Sequence, residues 1–372
     1  MKKENNLMFV RIHAIVLLCT VMSFLFGPVG CTTLREYRVD SEEPFPGVRQ
    51  LMAAYGGVDL VFVHGMGGYS EGDPDQITDH LAAELSLIEN VANVSQLSSS
   101  ARRRVFEDAS GNMKLRSYTL RWSDLTFFPK AVLRSTDVSD ERLALHDQVK
   151  QSLMNSNLAD AVIYLGSFKS EIQARVRSDL TSVLNDAGGQ ERPIVLVSFS
   201  LGSKILLDVV DQMRDGGGED KRLADTFADR SSVFFMLANQ IPLLELGELE
   251  PRGVAKEAAS SPVQDAASIY KTVIKFMDRK SATGIKSQQS LVNLPPFKIV
   301  AISDPNDFLS YPIPDAIANR YPDTFVNITL SVSQRGYMIP FVGTVTNPTT
   351  AHTGFGRHKR VRSLILDGTI TR

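Results

Sequence analysis

The chain has 372 residues, 43% of them hydrophobic and 22% charged, and its formal net charge is −2. That balance excludes a disordered or fibrous chain and leaves no electrostatic footprint for nucleic acid. Two local basic clusters, Arg102–Arg104 and Arg357–Arg362, read as solvated surface.

In chain order, the first element is an export signal. Lys2, Lys3 and Arg11 precede a predominantly apolar stretch of 13 residues, Ala14–Phe26. A membrane span takes roughly 20 apolar residues, whereas the core of a secretory signal takes about 7–15. Cys31 follows the small residue Gly30, which resembles the lipobox of bacterial lipoproteins, with Pro28 where an aliphatic residue is usual. The resemblance implies a diacylated Cys31 at the new N-terminus. The chain has two cysteines, and Cys19 lies within the apolar stretch. Loss of residues 1–30 therefore leaves Cys31 as the sole thiol, with no internal disulfide to form. It also removes three basic residues and one acidic one, leaving a mildly acidic chain. The expected location is the bacterial cell envelope, as a lipid-anchored protein; secretion or an uncleaved anchor are the alternatives.

Residues 31–57 read as a charged, proline-bearing tether, and 58–372 as the folded domain. "VDLVFVHG" (58–65) is a buried strand by its apolar run, and "DQITDHLAAELSLI" (75–88) has helical spacing after the helix-starting "EGDPD". "KLRSYTLRW" (114–122) reads as a strand, followed by two helical patterns at 140–157 and 170–189. Next come "RPIVLVSF" (192–199) as a strand and "KILLDVVDQMRD" (204–215) as a helix stopped by Gly216–Gly218. Strands follow at 231–239, 296–303 and 325–333, then a last helix from about Arg357 to Leu366. The stretch at about 240–295 is weakly patterned except for an amphipathic helix within 263–277, and reads as a cap or a mobile excursion. Alternating strands and helices predict an α/β fold with a doubly wound, mostly parallel sheet.

Three features carry chemistry. Ser200 lies between a strand and a helix, in "SFSLG", with Ser198 two before it and Gly202 two after. A sharp turn there projects the hydroxyl and offers free helix N-terminal amides to an oxyanion. The strand 58–63 ends in "HGMGG", whose glycines allow the backbone to turn inward. Downstream, the strand at 296–303 is followed by Asp304 and Asp307, and "NPTTAHTGFG" carries His352 in a polar loop. His358 opens a basic helical run and is expected to be exposed.

Together these residues resemble the serine hydrolases of the α/β-hydrolase superfamily over residues 58–370, with S-x-S-x-G in place of the usual G-x-S-x-G. The resemblance implies a Ser–Asp–His order, with Ser200 as nucleophile, His352 as base and Asp307 as acid, ahead of Asp304, which reads as a turn residue before Pro305. It further implies oxyanion donors at the Met66 and Leu201 amides, and a structural rather than catalytic His64. The substrate class would be a carboxylic ester, a small molecule or a lipid, with no metal and no cofactor. Trp122, Phe127 and Phe128 read as core, with an acyl pocket as the alternative. Two rivals remain open: a non-catalytic binding module of the same fold, and an acyltransferase using the same triad.

Overall fold

The computed structural model describes residues 31–33, 37–39, 44–67, 72–137, 142–186, 192–249, 266–283, 294–333, 335–339 and 343–368. The signal-like segment 1–30, Gly68 and the stretches 250–265 and 284–293 lie outside the described residues.

The strands are β1 (Cys31–Thr33), β2 (Tyr37–Val39), β3 (Val58–Val63), β4 (Ile88–Glu89), β5 (Ser95–Gln96), β6 (Ala101–Glu107), β7 (Met113–Leu120), β8 (Ile194–Phe199), β9 (Ser231–Leu237), β10 (Lys298–Ser303), β11 (Phe325–Leu330), β12 (Arg335–Ile339) and β13 (Gly343–Val345). The main sheet runs β2-β11-β10-β9-β8-β3-β7-β6-β4, with β5 also paired to β6. Its six central strands, β11 to β7 in that order, are parallel. β2 and β6 border them antiparallel. β1, β12 and β13 form a separate antiparallel sheet.

A parallel sheet covered on both faces needs apolar residues at every strand position. The alternation shows it directly. Val61, Val63, Leu196, Phe234 and Ile299 enter one core, under α6 (Lys169–Asp186), α7 (Leu201–Gly216), α8 (Gly218–Arg230) and α10 (Lys271–Thr283). Leu60, Phe62, Val197, Phe235 and Val300 enter the other, under α1 (Val48–Tyr55), α2 (Gly72–Glu84) and α13 (Lys359–Asp367). The doubly wound, mostly parallel architecture expected from the strand–helix alternation is the one present. No helix among the described residues is long and apolar enough to cross a membrane.

Two sequence readings need correction. "ARRRVFE" is strand β6, not solvated surface: Arg102 pairs with Asp75, Arg103 with Asp186, and Arg104 with Asp75, Asp79 and Glu89. The pattern was hidden because arginine stems can line a sheet while their heads find carboxylates. The triple glycine stops α7 at Gly216, as the sequence indicates, and Gly217 and Gly218, at φ 73° and 54°, turn the chain directly into α8. Second, β7 and β8 are joined through a helical insertion that the sequence pattern shows only in part. It comprises α3 (Phe127–Thr136), α4 (Ala144–Val149), a π-helical stretch Lys150–Leu158 and α5 (Ala159–Leu165). Phe127 and Phe128 on α3 are 69% and 73% exposed, so neither belongs to the core. The remaining short helices are α9 (Ile241–Glu245), α11 (Asp315–Ala318) and α12 (Pro348–Thr353). None of the described residues within 240–295 lines the cavity described below, and α10 lies against α7 and α8.

One buried charge cluster ties the layers together at the end of the sheet where β3 begins. Asp59 faces its register partner Arg116, which donates to both carboxylate oxygens at 2.6 and 2.7 Å. Arg230, at the end of α8, adds a third bond at 2.5 Å. Removing one member of a buried pair strands the others without solvent. Asp59→Ala is therefore expected to lower unfolding free energy by about 3–5 kcal/mol in urea titration, and a loss under about 1 kcal/mol would contradict this role.

Candidate active site

Every residue singled out for chemistry lies at the edge of the parallel sheet where the strands end. Ser200 follows β8 with φ 52° and ψ −122°, a conformation rare for a residue with a Cβ. The surroundings impose it. Ser200 N–H donates to the Leu237 carbonyl at 2.7 Å, and its own carbonyl accepts from Ser203 N–H at 3.2 Å. Gly202 is fixed by close approach: a Cβ there would lie 2.5 Å from the His64 carbonyl oxygen and 2.6 Å from that of Val63. At the position two before Ser200, where glycine is usual, Ser198 is fully buried and its hydroxyl bonds that of Ser203 at 2.6 Å. The replacement keeps the position small and adds a strap between strand and helix.

The His352 ring spans the gap between Ser200 and Asp307. Its Nδ1 lies 2.8 Å from Asp307 Oδ2, and its Nε2 lies 3.1 Å from Ser200 Oγ. A carboxylate can only accept, so the network assigns the ring proton to Nδ1 and leaves Nε2 to accept from the serine hydroxyl. Asp307 is itself held by Leu309 N–H at 3.0 Å to its other oxygen. Asp304 does not reach the ring. It accepts from Asn306 N–H at 2.8 Å and from Val332 N–H at 2.7 Å, stitching the turn after β10 to the end of β11.

His352 sits in α12, not in a loop as its polar surroundings suggested. The signal was present: Asn347 caps the helix by accepting from Thr349 and Thr350 N–H, and Pro348 occupies its first turn. His358 also departs from expectation. It stands at the N-cap position of α13, is only 6% exposed, and lines the cavity in front of Ser200.

The "HGMGG" turn packs onto the elbow. A Cβ on Gly65 would meet the Phe199 carbonyl oxygen at 2.6 Å and Ser200 Cβ at 2.9 Å, so Met66 follows a residue packed directly against Ser200. Leu201 is the first residue of α7, where backbone N–H groups lack intrahelical partners. His64 is anchored away from the hydroxyl. Its Nε2 accepts from Trp122 N–H at 3.0 Å and Ser123 N–H at 3.2 Å, so Nδ1–H donates to the Gly65 carbonyl at 2.8 Å. Trp122, fully buried, stacks on the ring at 4.7 Å and donates its indole N–H to the His64 carbonyl. Burial, reinforced by Lys130 and Arg121 and opposed by the Gly65 carbonyl, lowers the His64 pKa to about 4.

Three further residues hold this turn from the helical insertion. Asp160 accepts from Gly67 N–H at 2.7 Å and pairs with Lys130 at 2.9 Å, and Asn157 Oδ1 would lie 2.6 Å from a Gly67 Cβ. No local pattern points to them, because Asn157 and Asp160 reach Gly67 across about ninety residues of sequence and Lys130 acts through Asp160. The spacing of Asn157 and Asp160, three apart on one helical face, is the only trace they leave. The cavity itself encloses about 650 Å³ and is lined by the turn residues, Ser200, His352, Asn157, Val332 and the 353–359 segment. Among the described residues, no three His, Cys, Asp or Glu side chains are grouped to hold a metal ion.

No protein-family model matches the chain, and no curated protein matches it in sequence. Similar solved structures include mouse alpha/beta hydrolase domain-containing protein 10, at 11% identity over 81% of this chain and 89% of that one, TM-score 0.31. Esterase B from Lactobacillus rhamnosis is 11% identical over 94% and 90%, TM-score 0.33. A soluble variant of monoglyceride lipase from Saccharomyces cerevisiae is 12% identical over 94% and 99%, TM-score 0.32. At these TM-scores the likeness carries no argument, and the site is read from its own geometry.

The lowered His64 pKa has a testable sign. Between pH 6.5 and about 4 the unfolded chain binds this proton and the folded one does not, so stability rises with pH there. The contribution is complete above about pH 6.5 and falls away as pH drops toward 4, by roughly 3 kcal/mol at 1.36 kcal/mol per unit. Urea midpoints at successive pH values should show this slope in the native chain and a flatter one in His64→Gln. Equal slopes would contradict it.

Proposed function

We propose that this chain is a serine hydrolase that cleaves a carboxylic ester through an acyl-enzyme on Ser200. The observation that carries the reading is the unbroken chain Asp307–His352–Ser200, at 2.8 and 3.1 Å, opening on a cavity at the ends of adjacent parallel strands. In this reading His352 Nε2 takes the Ser200 proton as Oγ attacks the ester carbonyl, and then gives it to the departing alkoxide. Asp307 holds the imidazole in the tautomer that permits this and stabilises its charged form. The carbonyl oxygen, now anionic, is met by the Met66 and Leu201 N–H groups, a contribution of a few kcal/mol for each well-placed donor. Water activated by the same imidazole then releases the acid.

The substrate side of the proposal is a small-molecule or lipid ester. A lipid ester fits an enzyme tethered to a membrane through Cys31, which is the reading proposed for the N-terminus. Labelled palmitate should enter the expressed full-length chain and be lost from Cys31→Ala; incorporation that survives the substitution would contradict the anchor.

Turnover of short acyl p-nitrophenyl esters tests the triad. Ser200→Ala and Asp307→Asn should each lower kcat by about 10⁴-fold or more. Asp304→Asn, whose carboxylate bonds Asn306 and Val332 N–H rather than the His352 ring, should stay within about tenfold if the variant folds. A larger loss for Asp304→Asn than for Asp307→Asn would reverse the assignment of the acid.

A further inference from the structure

We propose that the Lys130–Asp160 pair is a positioning device for the oxyanion turn, through which the helices between β7 and β8 determine how well the Met66 amide faces Ser200. This inference rests on the serine-hydrolase reading.

The turn is gripped on two sides. On the sheet side, Gly65 lies against Phe199 and Ser200 at a distance that excludes any side chain. On the other side, Gly67 has φ +94° and its N–H points at Asp160 Oδ2, 2.7 Å away. Met66 sits between these two fixed points, so its amide has little freedom once both are set. Asp160 is fully buried on α5, and Lys130, on α3, is buried as well, with 5% of its surface exposed. Burial raises the Asp160 carboxyl, and Lys130, the Thr126 hydroxyl and the Gly67 N–H pull it back. Asn157 closes the arrangement one turn earlier, its carboxamide filling the space a Gly67 side chain would occupy.

Stability is a poor reason for such a pair. Two buried charges cost desolvation that their attraction only partly offsets, and apolar residues of similar size often serve as well or better. A charge-assisted bond to one backbone N–H is, by contrast, a strong and directional anchor. The carboxylate is aimed at the turn and the ammonium is its counter-charge, which is the arrangement expected of a support for a catalytic donor.

The test uses the full chain and two double variants, Lys130→Met/Asp160→Asn and Lys130→Met/Asp160→Leu. Both remove the two charges together, so neither strands a buried ion. Only the first keeps an oxygen able to accept from Gly67. The readouts are the second-order rate of fluorophosphonate capture by Ser200, and kcat and KM on p-nitrophenyl butyrate. Loss of an oxyanion donor costs about 10²–10³-fold, so a donor displaced but present predicts about 10–100-fold in capture and kcat for the leucine variant. Its KM should stay within about threefold, and the asparagine variant should hold most of the native rate. Capture by a folded leucine variant at the native rate overturns the proposal, as do equal losses in the two variants, which a purely structural pair would give. Should the double variants not fold, Asn157→Ala decides: it disturbs no charge, and freeing Gly67 should slow capture several-fold, whereas an unchanged rate overturns the proposal. A native chain that is never captured overturns the serine-hydrolase reading itself and this inference with it.

Discussion

The arrangement of this site depends on one close approach of backbones. The chain leaving β8 and the chain leaving β3 come so near that neither Gly202 nor Gly65 can carry a side chain. That contact holds Ser200 in its unusual conformation, fixes the start of α7 behind it, and seats the "HGMGG" turn beside it. The cost of the backbone conformation, of order 1–3 kcal/mol, is sustained because the bonds from Leu237 and Ser203 leave the serine no other state within the fold.

From that contact outward, the supports are arranged in pairs. His352 is aimed by Asp307 on one side and by the capped helix α12 beneath it. The turn His64–Gly67 is held by the elbow on one side and by Asp160 on the other. His64 and Trp122 lock the base of that turn through stacking and three hydrogen bonds. Burial keeps His64 neutral, and a second ring proton would moreover face two N–H donors. The site is thus carried by rigid neighbours: Asp307 and Asp160 are buried in partnerships, and Ser200 lines a cavity whose wall also carries Arg357, His358 and Lys359.

How much of this could be read from the sequence varies with the distance over which each constraint acts. Ser200 was legible because the elbow is a local demand: small residues at fixed offsets between an apolar strand and a helix. The strands were legible because a sheet covered on both faces leaves continuous apolar runs, as in 194–197 and 299–302. Asp307 and His352 were legible through chain order and their position after strands, and the structure brings both to Ser200. Asp304 was separable from Asp307 by its proline neighbour, in keeping with its bonds to Asn306 and Val332. What escaped was decided by tertiary partners. Arg104 looks like surface until Asp79 and Glu89 arrive from elsewhere, and His358 looks exposed until the cavity wall is assembled. Asp160 and Lys130 carry no motif, since their meaning comes from Gly67.

The most direct test is mass spectrometry of the chain after treatment with a fluorophosphonate. Addition of one phosphonyl group, mapped to the peptide bearing Ser200 and absent from Ser200→Ala, is the result predicted. A folded chain that gains no adduct, or one that gains it at another serine, would contradict the assignment of Ser200 as the nucleophile.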